Sequence, residues 1–107
     1  MDREEKLKVL KELGGISEED FDQLYMTGIE DINNEFKKLK NSYGRNDIEG
    51  FRMAVHAIKG ISGNYRIKNV NETCKSLGLA ARENNNLAGV NGLIKKLEEE
   101  IRELQCR

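Results

Sequence analysis

Apolar residues recur along this chain at intervals of three and four, with polar and charged residues between them, which is the signature of amphipathic helices. The clearest run is Ile29, Ile32, Phe36, Leu39 and Tyr43, stepping 3, 4, 3, 4. A second run, Ile48, Phe51, Val55, Ile58 and Ser62, follows in the same rhythm, and Val70, Cys74, Leu77 and Ala81 make a third. The fourth, Leu87, Val90, Ile94, Leu97, Ile101 and Leu104, is the most regular. Its outer positions, Lys95, Lys96, Glu98, Glu99, Glu100, Arg102 and Glu103, read as a solvated charged face.

The breaks between stripes carry their own chemistry. Residues 2 to 13 predict a short helix with Leu7, Leu10 and Leu13 on a narrow face, stopped at Gly14-Gly15. Ser17 with Asp20 caps the next segment, which carries Phe21, Leu24 and Tyr25. That segment either runs on into the first bundle helix or is restarted by a Thr27/Glu30 capping box. Gly44 ends the first stripe, and Asn46 or Asp47 caps the second. Asn64 to Asn69 forms the next turn, and Glu83 to Asn86 closes the third helix. Four stripes joined by short turns predict an all-α, up-down-up-down four-helix bundle over 27–105, with residues 1–26 as an N-terminal capping segment.

Composition narrows the class without altering that reading. A length of 107 residues fits one domain. No proline, no tryptophan, 6% aromatic and 35% charged residues favour helices over a sandwich or barrel. With 18 basic and 19 acidic residues the net charge is −1, so no global field draws the chain to nucleic acid or an anionic membrane. There is no apolar run of membrane-spanning length and no signal-peptide core after Met1, which predicts a cytoplasmic chain. Cys74 lies in an apolar stripe and reads as a small buried hydrophobe. Cys106, beside the C-terminus, reads as an exposed thiol without a role.

The one histidine of the chain is the candidate for chemistry. On a helix, His56, Lys59, Gly60 and Gly63 share a face, since residues three, four and seven apart stack. Two glycines inside a helix each cost about 1 kcal/mol against alanine, so their presence points to something approaching the backbone closely. Imidazole is a good nucleophile near neutral pH, and Lys59 would set an ammonium near a negative group on the ring. His56 falls one residue off the core stripe, on its flank and facing water. Arg52 shares its face one turn earlier, Met53 lies on the outer side with Gly60, and Asn64 is a helix-end group with a secondary chance of touching a partner. Ser62 reads as a small core-facing residue, since no base stands at a spacing that would activate it.

These residues resemble the histidine-containing phosphotransfer (HPt) domains of two-component phosphorelays. The likeness rests on His56, Lys59, Gly60, Ser62 and Asn64, followed by Val70, Cys74, Leu77 and the Ala81-Arg82 pair. It implies a phosphorelay intermediate in which His56 takes a phosphoryl group from a receiver-domain phosphoaspartate and passes it to another receiver, with Lys59 stabilising the phosphate. Gly60, Gly63, Arg52, Met53 and Asn64 would then meet the partner. It implies response-regulator receiver domains as partners, with a hybrid sensor histidine kinase as a further one, while the charge balance and the lack of a membrane-length apolar run argue against nucleic acid and membrane. The chain itself would hold no cofactor, Mg²⁺ being supplied by the receiver, and no nucleotide-binding glycine loop suggests ATP-dependent kinase activity.

Two positions depart from the family pattern. Members usually carry glycine where this chain has Arg66, and many carry glutamate where it has Gly78. These departures keep open a rival class, a non-catalytic helical interaction module that has lost phosphotransfer. A hydrolase or metal enzyme is a poor third, because one histidine without clustered carboxylates leaves little to build such a site from.

Overall fold

The computed structural model describes residues 3–12, 14, 17–84, 87 and 89–105. Leu13, Gly15, Asn85, Asn86 and Cys106, together with the Leu10 and Glu83 side chains, lie outside the described residues. Among the described residues five helices follow one another: α1 (Arg3–Glu12), α2 (Glu18–Gly44), α3 (Ile48–Asn64), α4 (Lys68–Asn84) and α5 (Asn91–Gln105). α2 packs on α3, α3 on α4 and α4 on α5, and α5 closes back against α2. The result is an all-α four-helix bundle with α1 added at its N-terminus.

The four apolar stripes form its core. Ile29, Ile32, Phe36 and Leu39 of α2 meet Phe51, Val55 and Ile58 of α3, with Val70, Cys74, Leu77 and Ala81 of α4 and Ile94, Leu97 and Ile101 of α5. Nearly all of these are fully shielded, as expected where each large apolar side chain contributes about 1.5–3 kcal/mol on burial. Ser62 is buried with them and donates its hydroxyl to the Lys59 carbonyl at 3.0 Å.

α2 is one uninterrupted helix of 27 residues. Ser17 caps it by accepting from the Asp20 amide at 3.1 Å. Thr27 starts no new helix: its hydroxyl donates back to the Gln23 carbonyl at 3.1 Å, a bond made inside a continuing helix. The expected division between a capping segment and a bundle at 26/27 therefore falls within α2. Its first turns are held by an aromatic cluster, in which Phe21, Tyr25 and Tyr65 stand 5.9–6.4 Å apart between ring centroids. Gly28 makes that cluster possible, because a Cβ there would lie 2.6 Å from Tyr65 Cε2.

The turns at the two ends of α3 are built alike. After α2, Asn46 N–H donates to Tyr43 O (3.2 Å) and Asp47 N–H to Ser42 O (2.8 Å). After α3, Arg66 N–H donates to Gly63 O (3.3 Å) and Ile67 N–H to Ser62 O (2.9 Å). Both are Schellman ends, in which the residue past the cap adopts a left-handed conformation. Asn46 (φ 55°) and Arg66 (φ 59°) fill that position. Gly44 thus closes α2 without being its left-handed residue. Asp47, not Asn46, caps α3 by accepting from the Gly50 amide at 3.0 Å. The turn after α3 is shorter than the expected 64–69, since Asn64 is still helical and α4 begins at Lys68.

Two expectations for the last stripe need correction. Leu87 and Val90 are buried but precede α5, so the apolar rhythm begins in the connection rather than in the helix. The outer face of α5 is also less uniformly solvated than its charges suggest. Half-buried Glu100 accepts from the Thr73 hydroxyl on α4, and Glu98 stands 3.6 Å from Lys40 of α2 while also bonding Arg102 at 3.2 Å. Among the described residues, no helix is long and apolar enough to cross a membrane.

Candidate functional site

His56 occupies the centre of α3, with eight helical residues on either side. At 1.5 Å per residue, either end of the helix is about 12 Å away, so the ring is carried on a stretch well inside the hydrogen-bonded ladder. Val55 and Ile58 anchor the buried side of the same turn, and His56 itself is exposed.

Its surroundings come from two helices. α3 and α4 enclose a groove of about 490 Å³ in which Arg52, His56 and Lys59 face Lys75, Gly78 and Arg82. Val55 and Cys74 form its apolar floor and exposed Leu79 its rim. Among the described residues, four cations line the groove and no carboxylate does. The site is accordingly more concave than a helix face alone would be. The two α4 cations were not deducible from the α3 motif, although Lys75, Gly78, Leu79 and Arg82 keep a single-face spacing of 0, 3, 4 and 7 that was a usable signal.

The cations are held to different degrees. Arg52 Nη2 donates to the Ala81 carbonyl at 3.2 Å, which ties α3 to the last turns of α4 and leaves other guanidinium donors to the groove. Lys75 Nζ lies 3.5 Å from Glu72 Oε1, an exposed pair of the kind worth about 0–1 kcal/mol. Lys59 is exposed, and its backbone carbonyl is fixed by Asn71 Nδ2 at 2.9 Å in addition to the Ser62 hydroxyl. Asn71 is a positioning group that the sequence pattern did not single out.

The glycines divide. A Cβ at Gly60 would meet nothing within 4 Å, so packing inside this chain does not require that glycine and its surface is free for an outside group. Gly78 is equally open, and the position beside the groove therefore carries no side chain. Gly63 is instead taken up internally: a Cβ there would touch Asn71 Nδ2 at 3.5 Å, and its carbonyl accepts Arg66 Nη1 at 2.7 Å. Met53 is 67% exposed but lies at a second groove, between α2 and α3, with Gly50, Ala54 and Ala57. Asn64 is exposed at the last residue of α3.

At the groove floor, Cys74 is kept neutral. Burial chiefly, with the Glu100 carboxylate adding to it, pushes its thiol up to about 12, against the opposing pull of the Lys59 ammonium. It is therefore a packing group and no thiolate nucleophile at neutral pH. No set of three or more His, Cys, Asp or Glu side chains among the described residues could hold a metal ion.

Comparison with protein-family models, with curated proteins and with solved structures finds no match to this chain.

Proposed function

We propose that this chain is a phosphorelay intermediate whose phosphoacceptor is His56. The observation that carries the reading is the ring's position: exposed, at the middle of a helix packed along its opposite side, in a groove lined by four cations. A phosphoryl group brings two negative charges and strong acceptor oxygens, which Lys59 and its neighbours meet with charge-assisted bonds.

In this reading a receiver domain docks with its phosphoaspartate in line with the ring. The imidazole Nε2 lone pair forms the N–P bond as the P–O bond to the aspartate breaks, and the aspartate leaves as carboxylate. Mg²⁺ bound to the receiver supplies charge neutralisation there. Lys59 holds the transferred group from this side, and open Gly60 admits the partner's surface. Docking of a second receiver reverses the step. The chain acts in the cytoplasm as a carrier, and a hybrid sensor kinase is one source of the donor receiver.

The experiment is incubation with a phosphorylated receiver domain and Mg²⁺, followed by a search for acid-labile, base-stable phosphate. Label on His56 that disappears in His56→Gln supports the carrier. No label from several receivers, on a chain that stays helical, supports the second reading, a non-catalytic interaction module. That alternative draws on Gly78, which leaves the ring without a neighbouring side chain at that point of the groove.

A further inference from the structure

The groove around His56 has a property that docking does not require. Its charges come from both helices: Arg52 and Lys59 on α3 stand opposite Lys75 and Arg82 on α4, around a space left unfilled at Gly78. Two carboxylates that bear on lining residues, Glu72 and Glu100, lie outside its described lining. Glu72 pairs loosely with Lys75 at 3.5 Å from the same helix, and Glu100 of α5 is engaged by the Thr73 hydroxyl. Like charges brought together around an open space repel one another, and an anion relieves that repulsion. A volume of about 490 Å³ is within the range of ligand clefts, and the Val55 and Cys74 floor restricts water beneath it.

We propose that this groove is a binding site for a free tetrahedral oxyanion of the phosphate class in the unmodified chain, closed from the α4 side by Lys75 opposite Lys59. Lys75 is the deciding residue because its ion pair among the described residues is with Glu72 of its own helix, itself exposed, so an incoming dianion readily displaces it. Arg52 remains attached to the Ala81 carbonyl while offering its other donors, which gives the site one fixed wall and one movable one. The site needs no transfer to His56, so it goes beyond the carrier reading and stands or falls separately from it.

The test is a titration of the ¹⁵N-labelled chain with sodium phosphate at constant ionic strength, following the His56 ring and the amides of Lys59, Lys75, Gly78 and Arg82. Saturable shifts confined to these positions are expected. They weaken several-fold in Lys75→Gln and vanish in Gly78→Glu, which sets a carboxylate in the space, while Lys95→Gln, at an exposed position of α5, leaves them unchanged. Shifts that never saturate, that appear equally at Lys95 and Lys37, or that persist unaltered in Lys75→Gln overturn the proposal. Receiver-dependent label on His56 without saturable phosphate binding would sink this site and leave the carrier standing. The reverse pair of results would do the opposite.

Discussion

Arg66 joins the beginning of the chain to the end of the histidine helix: its Nε meets Glu12 Oε2 at 2.9 Å while its Nη1 meets the Gly63 carbonyl at 2.7 Å. It does so from a left-handed backbone, φ 59°, at the position of a Schellman end where glycine is ordinarily found. A left-handed backbone is the conformation that glycine adopts at least cost, so arginine is the unexpected residue at this place. What the side chain adds is a tie to α1.

Arg66→Gly separates those two effects. Removing the Cβ relieves about 1–2 kcal/mol of left-handed strain, and an exposed ion pair returns only about 0–1 kcal/mol. The bundle should therefore melt at the same or a slightly higher temperature. Amides of α1 should meanwhile lose hydrogen-exchange protection. A large fall in melting temperature would show that the Glu12 tie outweighs the backbone strain.

Replacement of glycine by alanine should give opposite signs at Gly60 and Gly28. Gly60→Ala adds a methyl in open space and gains helix propensity, raising stability by about 1 kcal/mol. Gly28→Ala drives a Cβ into the Tyr65 ring, which Phe21 and Tyr25 keep from moving freely. Overpacking of this kind costs about 1–3 kcal/mol, so the net change is a loss. Denaturant midpoints of the two variants against the parent chain decide both.

Cys74 makes stability depend on alkaline pH. Its folded thiol is held up to about 12 against a reference value of 9.0, so the unfolded chain gives up that proton first. The stabilisation is complete below pH 9 and is lost as pH rises towards 12. Tyr65, raised from 10.0 by burial and then by Asp31, acts in the same direction. Chemical denaturation at pH 7 and pH 10.5 should show a lower midpoint at the higher pH, and Cys74→Ala should narrow the difference. Native-state alkylation at pH 8, read on the Cys74 peptide, should be negligible until the chain unfolds.

For the carrier, Lys59→Gln should leave the fold intact and slow transfer to His56 by about 10–100-fold, the worth of one hydrogen bond to a charged group. Single-turnover labelling from a phosphorylated receiver measures it. An unchanged rate would assign Lys59 to solvent.

Much of the bundle was legible because helix periodicity survives packing. Most residues of the α2, α3 and α4 core are those the 3–4 spacing marks, although Ala54 joins them unmarked and Tyr43 and Ile48 are only partly buried, and Ser17 and Asp47 cap where their side chains allow. His56 could be placed on an exposed flank for the same reason. What spacing could not supply was register between helices: that Lys75 and Arg82 face His56, that Asn71 reaches the Lys59 carbonyl, or that Glu100 turns inward to Thr73. The Leu87 rhythm misled because a buried connection can keep a helical interval without being helical.

The matching turns at its two ends have a consequence for how α3 breathes. Each turn returns its amides to the last carbonyls of the preceding helix, so α3 is entered through one closed end and left through another. Fraying has no free terminus from which to start, and amides near Val55 and Ile58 should exchange with deuterium only through opening of the whole bundle. The one histidine would then sit where the side chain meets solvent at once and the backbone beneath it meets solvent last.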